Sequence, residues 1–173
     1  MRLPMMVLLA VLAAGCGFKP ARILASYTNL EVQEVGRSLH CNTATADAAA
    51  QLLADATAVQ AWQAERALNL ITADALTDAP YAVVEMGQRP TGGYGLATSR
   101  AAVLRGELLI LVATFISPGP DSFVSQALTS PCVLVRLPPG RYSTIEVQDQ
   151  SGAVRATGQS FLAKTGGSAK VTP

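Results

Sequence analysis

The chain has 173 residues, of which 50% are hydrophobic and 14% charged, with a formal net charge of +1. That length is enough for one domain with a real core. A near-neutral chain without a basic cluster lacks the electrostatic footprint of a nucleic-acid binder, so that class of partner is excluded.

Residues 1–15 read as an export signal. Arg2 supplies a short positive region, and residues 5–14 form an almost unbroken apolar run that is too short to span a bilayer. The run ends in Leu12-Ala13-Ala14-Gly15-Cys16. Small residues immediately before a cysteine resemble a bacterial lipobox, which implies cleavage before Cys16 and a diacylglycerol on its thiol. Ala13 stands where a large aliphatic is usual, with Leu12 one step further out. The rival reading is an ordinary secretory signal. Acyl chains contribute about 0.8 kcal/mol per buried CH₂, so two or three of them hold a small protein on a membrane. Gly17 follows the cysteine and no aspartate is there to signal inner-membrane retention. Resemblance to sorted lipoproteins therefore implies the outer membrane.

With Cys16 lipidated, Cys41 and Cys132 remain. In an oxidising compartment such a pair tends to become a disulfide. The alternative is two separately buried small side chains. Residues 16–26 read as the lipidated tether, 27–157 as a single domain, and 158–173 as a flexible tail.

Within the domain, residues 30–35 alternate apolar and polar, the period of a half-buried strand, and the strand is expected to run on toward His40. His40, the only histidine, adjoins Cys41. Neighbours on a strand point to opposite faces, which argues against a thiol–imidazole pair. Thr43 and Thr45 are candidate N-caps, and Asp47 suits the positive end of a helix. An alanine-rich helix is expected over 46–66, with Leu52, Ala56, Val59 and Trp62 on one apolar face and Trp62 as a core anchor.

After Pro80 the pattern changes. Residues 81–86 form an apolar run that suggests a central strand. Strands are expected at 96–104, 107–116, 132–137 and 142–148, with a last short one at 153–156. Ser117-Pro118-Gly119-Pro120-Asp121 and Pro138-Pro139-Gly140 are breakers. The expected fold is α+β: an antiparallel β-meander, sandwich- or barrel-like, with one N-terminal helix packed against it.

The first two of these strands are joined by Gly87-Gln88-Arg89-Pro90-Thr91-Gly92-Gly93-Tyr94. Pro90 pre-sets φ for a turn and forces Arg89 into an extended conformation. Gly92 and Gly93 tolerate positive φ, and Tyr94 returns a large ring toward the sheet. The stretch reads either as a tight connection or as a shaped binding loop. Metal-ligand spacing, a phosphate loop followed by a helix and a base to activate a serine are all missing from the pattern, so a non-catalytic protein without a cofactor is expected.

The loop, followed by Gln126-Ala127-Leu128-Thr129-Ser130-Pro131-Cys132, resembles the paired motifs of the PrcB C-terminal domain family, with the core motif region at 80–157. That family comprises exported, often lipid-anchored proteins named as subunits of a protease stability complex. The resemblance implies a non-catalytic protein that binds or stabilises an exported serine protease. Arg89, Pro90, Thr91, Gly92, Gly93 and Tyr94, with Thr129, Ser130 and Pro131, are then the candidate partner-binding residues. Cys132 stands where an aromatic is also familiar in the family, so a disulfide there implies a subgroup feature. A weaker similarity links 90–94 to the Asn-Pro-Thr-Thr-Gly loop of chagasin-like peptidase inhibitors. Arg89 replaces the asparagine and Gly92 the second threonine. A third reading is a structural envelope lipoprotein in which both motifs serve only as turns.

Overall fold

The computed structural model describes residues 27–160. Cys16, the leader and the tether lie outside the described residues.

The described residues open with two short strands, β1 (Tyr27–Glu31) and β2 (Gln33–Ser38). They correspond to the single strand expected from residue 30. The alternation specified an extended backbone but not its partners. Buried Val32 separates the two, and its N–H donates to the Arg100 carbonyl at 2.8 Å. One extended stretch thus crosses from one sheet to another.

The helix expected over 46–66 is instead a strand and a shorter helix: β3 (Ala49–Leu53) and α1 (Ala56–Glu65). Alanine favours helix locally, but β4 (Tyr81–Glu85) offers β3 a five-residue antiparallel ladder, from Ala49 opposite Glu85 to Leu53 opposite Tyr81. Tertiary pairing overrides propensity here. The N-cap is Asp55, whose carboxylate accepts from the Ala58 N–H at 2.8 Å, rather than Thr43 or Thr45. Val59 and Trp62 are buried as expected, while Leu52 reaches the core from β3.

The remaining strands are β5 (Gly95–Arg105), β6 (Leu108–Ile116), β7 (Cys132–Arg136), β8 (Thr144–Gln148) and β9 (Val154–Gln159). Among the described residues two sheets result, ordered β1-β5-β6-β8-β9 and β2-β7-β4-β3. The class is the expected sandwich-like α+β fold. The strands do not follow one another through a single sheet, however. After β6 the chain leaves for the other sheet as β7, then returns beside β6 as β8, so that pair is parallel.

The two faces of the four-stranded sheet explain its apolar runs. Ala82, Val84, Val133 and Val135 pack between the sheets with Leu109, Leu111, Ile145 and Val147. Tyr81, Val83 and Leu134 face the other way, against Leu53, Val59 and Trp62. With helix on one side and sheet on the other, β4 is buried at every residue. A strand covered on both faces reads as continuous hydrophobicity rather than alternation.

β9 runs to Gln159, and the Ser160 N–H donates to the Ser143 carbonyl at 2.9 Å. The first residues of the expected tail are therefore paired. The β8–β9 turn is organised by Asp149. Its carboxylate accepts from the Ser151 hydroxyl at 2.6 Å and from the N–H groups of Ser151 and Ala153, and it pairs with Arg155 at 3.2 Å. The Ser151 hydroxyl, with help from those N–H groups and Arg155, lowers the Asp149 pKa to about 2. A depressed carboxylate contributes stability that is present above its unfolded value near 4 and is lost as pH falls through the folded value. Asp149 is accordingly expected to stay ionised at pH 3. An NMR titration of the side-chain carboxyl that found its midpoint near 4 would show that this turn is not held by the charge.

Candidate functional site

The two motifs meet. Arg89 and Thr129 exchange backbone hydrogen bonds, Arg89 N–H to Thr129 C=O at 2.7 Å and Thr129 N–H to Arg89 C=O at 3.0 Å. The Gly92 N–H donates to the Ser125 carbonyl at 2.8 Å, and the Thr129 hydroxyl donates to the Thr91 carbonyl at 2.9 Å. Beneath them the Met86 N–H donates to the Pro131 carbonyl at 2.8 Å. Ser130 bonds outward to the 39–41 segment, accepting from the Cys41 N–H at 2.9 Å and donating to the Leu39 carbonyl at 2.8 Å. Thr129, Ser130 and Pro131 are buried, and their role is to tie three segments into one ledge.

Arg89 is half-buried and donates to the Met86 carbonyl, three residues back. Its guanidinium carbon lies 5.9 Å from the centroid of the Tyr94 ring. Arg89 therefore clamps the loop against its own stem. Its Nε is buried and has no hydrogen-bond partner among the described residues.

Gly93, but not Gly92, takes positive φ (82°). Gly92 is small because a Cβ there falls 2.4 Å from Ser125 Oγ. The more demanding position is Gly87, at the start of the loop. It has φ +85°, and a Cβ there falls 2.4 Å from the Ala46 carbonyl oxygen and 2.6 Å from that of Asp47. Backbone oxygens cannot rotate away as a side chain can. Gly87→Ala is expected to cost about 2–3 kcal/mol, combining left-handed strain with the displaced 46–47 segment. Denaturant melting measures it, and a loss below about 0.5 kcal/mol contradicts the packing described.

The side chains left at the surface of the ledge are Gln88, Pro90 and the half-exposed Thr91 and Tyr94, with Phe123 and Leu128 from the adjoining segment. Phe123 is fully exposed and Leu128 is 62% exposed. These two were not singled out from sequence; their position on a Pro/Gly-bounded loop was the available signal. A shallow cavity of about 330 Å³ lies alongside, between His40, Asn42, Gln88 and Leu128.

Cys41 and Cys132 form a disulfide that fastens the segment after β2 to the first residue of β7. Both cysteines are buried. The Cys41 sulfur is thus committed to a crosslink, and His40 is exposed beside it.

A further polar group, not foreseen from the sequence, sits behind the ledge. Buried Glu85 accepts from the Thr43 hydroxyl at 2.6 Å and pairs with Arg66 at 2.7 Å. The Arg66 guanidinium lies 5.5 Å from the centroid of the Trp62 ring. Glu85 is hidden in an apolar run, and its partners come from 42 and 19 residues away.

The fold and this joined pair of motifs define a β-sandwich module whose distinctive feature is a surface ledge. Residues 80–138 match the model of the family described as PrcB C-terminal. The matched span carries β4 to β7 and both motifs. Comparison with curated proteins and with solved structures finds no match.

Proposed function

We propose that this chain is a non-catalytic lipoprotein of the cell envelope, anchored through Cys16 in the outer membrane, that binds or stabilises an exported protease. The family of residues 80–138 is associated with a protease complex in general terms. The observation that carries the reading is the ledge itself. Two motifs more than 30 residues apart are knitted by main-chain bonds, and half-exposed Tyr94 with exposed Phe123 and Leu128 is left around them. Aromatic residues are enriched at the contacts that dominate protein association, and exposed apolar side chains are what such contacts use.

The geometry also decides which variants test this. Arg89→Ala removes the clamp on the loop and confounds folding with binding. Tyr94→Ala removes the ring against which Arg89 packs and shares that confound, whereas Phe123→Ser/Leu128→Ser act at the surface and are the variants that read binding alone. Crosslinking in intact cells, with the lipidated protein as bait, is expected to recover an exported protease. The surface variants are expected to lose it without a change in melting temperature. Recovery of the same proteins with every bait, and no protease among them, sinks the protease reading. It leaves the motifs as turns of a structural lipoprotein. The anchor is tested separately: Cys16→Ser is expected to move the protein from the detergent phase to the aqueous phase in a phase-partition assay.

A further inference from the structure

A wide cleft among the described residues lies away from the ledge and shares no residue with it. It opens where β1 gives way to β2 and the two sheets diverge, and it encloses about 890 Å³. Glu31, Glu34 and Arg37 line it from β1 and β2, Arg100 from β5, and Arg136 with Pro138 from the end of β7. Cavities of about 300–1,000 Å³ are the size that encloses most of a small ligand.

Arg100 is placed there by a β-bulge. Between the pairs Thr98–Ala113 and Ala102–Leu111, β5 has three residues where β6 has one. The bulge is held rigidly. The Arg100 carbonyl accepts from the Val32 N–H at 2.8 Å, and the Ala101 N–H donates to Ser99 Oγ at 3.0 Å. Bulges re-aim side chains and are over-represented beside functional sites.

The charges of the cleft are unequally matched. Arg37 is paired with Glu34 at 2.5 Å. Arg136 is bonded to the neutral amide oxygen of Gln33. Among the described residues Arg100 makes no ion pair or side-chain hydrogen bond, and neither does Glu31. Two guanidinium groups thus lack a carboxylate, and one carboxylate lacks a cation.

We propose that this cleft binds an extended peptide segment of a partner protein through an acidic side chain. The peptide carboxylate is received by Arg100 and Arg136, since guanidinium groups hold carboxylates by paired, charge-assisted bonds. Glu31 accepts a main-chain N–H of the same segment, and Pro138 supplies an apolar wall. The two glutamates in the same cleft disfavour a polyanion, which selects a peptide carboxylate over phosphate.

Fluorescence anisotropy tests this with a fluorescein-labelled, C-terminally amidated alanine hexapeptide that carries one central aspartate, its asparagine counterpart, and inorganic phosphate as competitor. The expected result is saturable binding of the aspartate peptide. Replacing aspartate by asparagine, or introducing Arg100→Ala, is expected to weaken it about tenfold or more, the usual effect of losing a hydrogen bond to a charged group. Arg136→Ala is expected to do the same. Arg155→Ala, on β9, is expected to change nothing. Arg100 holds no other side chain in place, so its variant is expected to melt as the parent does and to report on binding alone. No saturable binding up to low millimolar concentration overturns the proposal, as does equal affinity for the two peptides. Displacement by phosphate at comparable concentration overturns it in favour of a small-anion site. None of these outcomes bears on the ledge, whose variants lie elsewhere.

Discussion

Replacing Cys41 and Cys132 together by alanine is expected to destabilise the domain by about 4–5 kcal/mol, the chain-entropy value for so long a loop. The two residues are 91 positions apart, so the bond removes a large part of the unfolded chain's freedom. Both sulfurs also lie in the cluster that holds Val59, Trp62 and Leu134, and truncation leaves small voids there. At roughly 3 °C or more per kcal/mol for a domain of this size, the melting temperature is expected to fall by about 12 °C or more. The effect reaches the ledge. Cys41 donates its N–H to Ser130, and Cys132 directly follows Pro131, whose carbonyl holds the stem of the motif loop. The measurement is thermal melting of the parent protein with and without reductant, beside the double variant. If denaturation without reductant frees two titratable thiols, the crosslink is not there and the expected loss disappears with it.

Glu85→Ala is expected to cost about 3 kcal/mol, although it removes no apolar packing. Breaking a buried pair leaves its partner uncompensated, at about 3–5 kcal/mol. The Glu85 side chain is 5% exposed and that of Arg66 22% exposed, so the arginine regains some hydration and the lower end applies. Thr43 loses its acceptor in the same step. Replacing both charges at once, by Glu85→Leu with Arg66→Met, is expected to recover more than half of the loss, because a desolvated pair and an apolar substitute are often close in free energy. Denaturant melts of the two singles and the double close the cycle. Additive single effects below about 1 kcal/mol each place the pair among surface ion pairs and remove Glu85 from the framework behind the ledge.

Much of the second half of the chain was legible because its signals are local. The apolar run at 81–86 reads as a central strand, and β4 is buried on both faces between β3 and β7. The Pro- and Gly-rich breakers at 117–121 and 138–140 fall between strands, as turn chemistry requires. The first half was less legible for a physical reason. Alanine at 46–53 is a strong local vote for helix, outweighed only because β4 offers a complete ladder of main-chain partners. The ledge was half legible. Both motifs stood out by composition, but Arg89 reads as a contact residue in sequence and is a clamp on its own loop in the fold.

The sequence by itself determined which stretches are extended from residue 81 on, where they turn, and that two motifs of the PrcB C-terminal kind are present. Period and turn chemistry are written in adjacent residues, and so are short motifs. Only the tertiary structure decided that the chain changes sheets at Val32, that β6 and β8 run parallel, that Cys41 reaches Cys132, and that Arg89 meets Thr129. Each of these is a choice of partner among distant segments, fixed by which arrangement buries the apolar faces and satisfies the main chain at once. The same holds for Arg100, an unremarkable residue in sequence that a bulge and a buried main-chain bond place at the edge of a cleft.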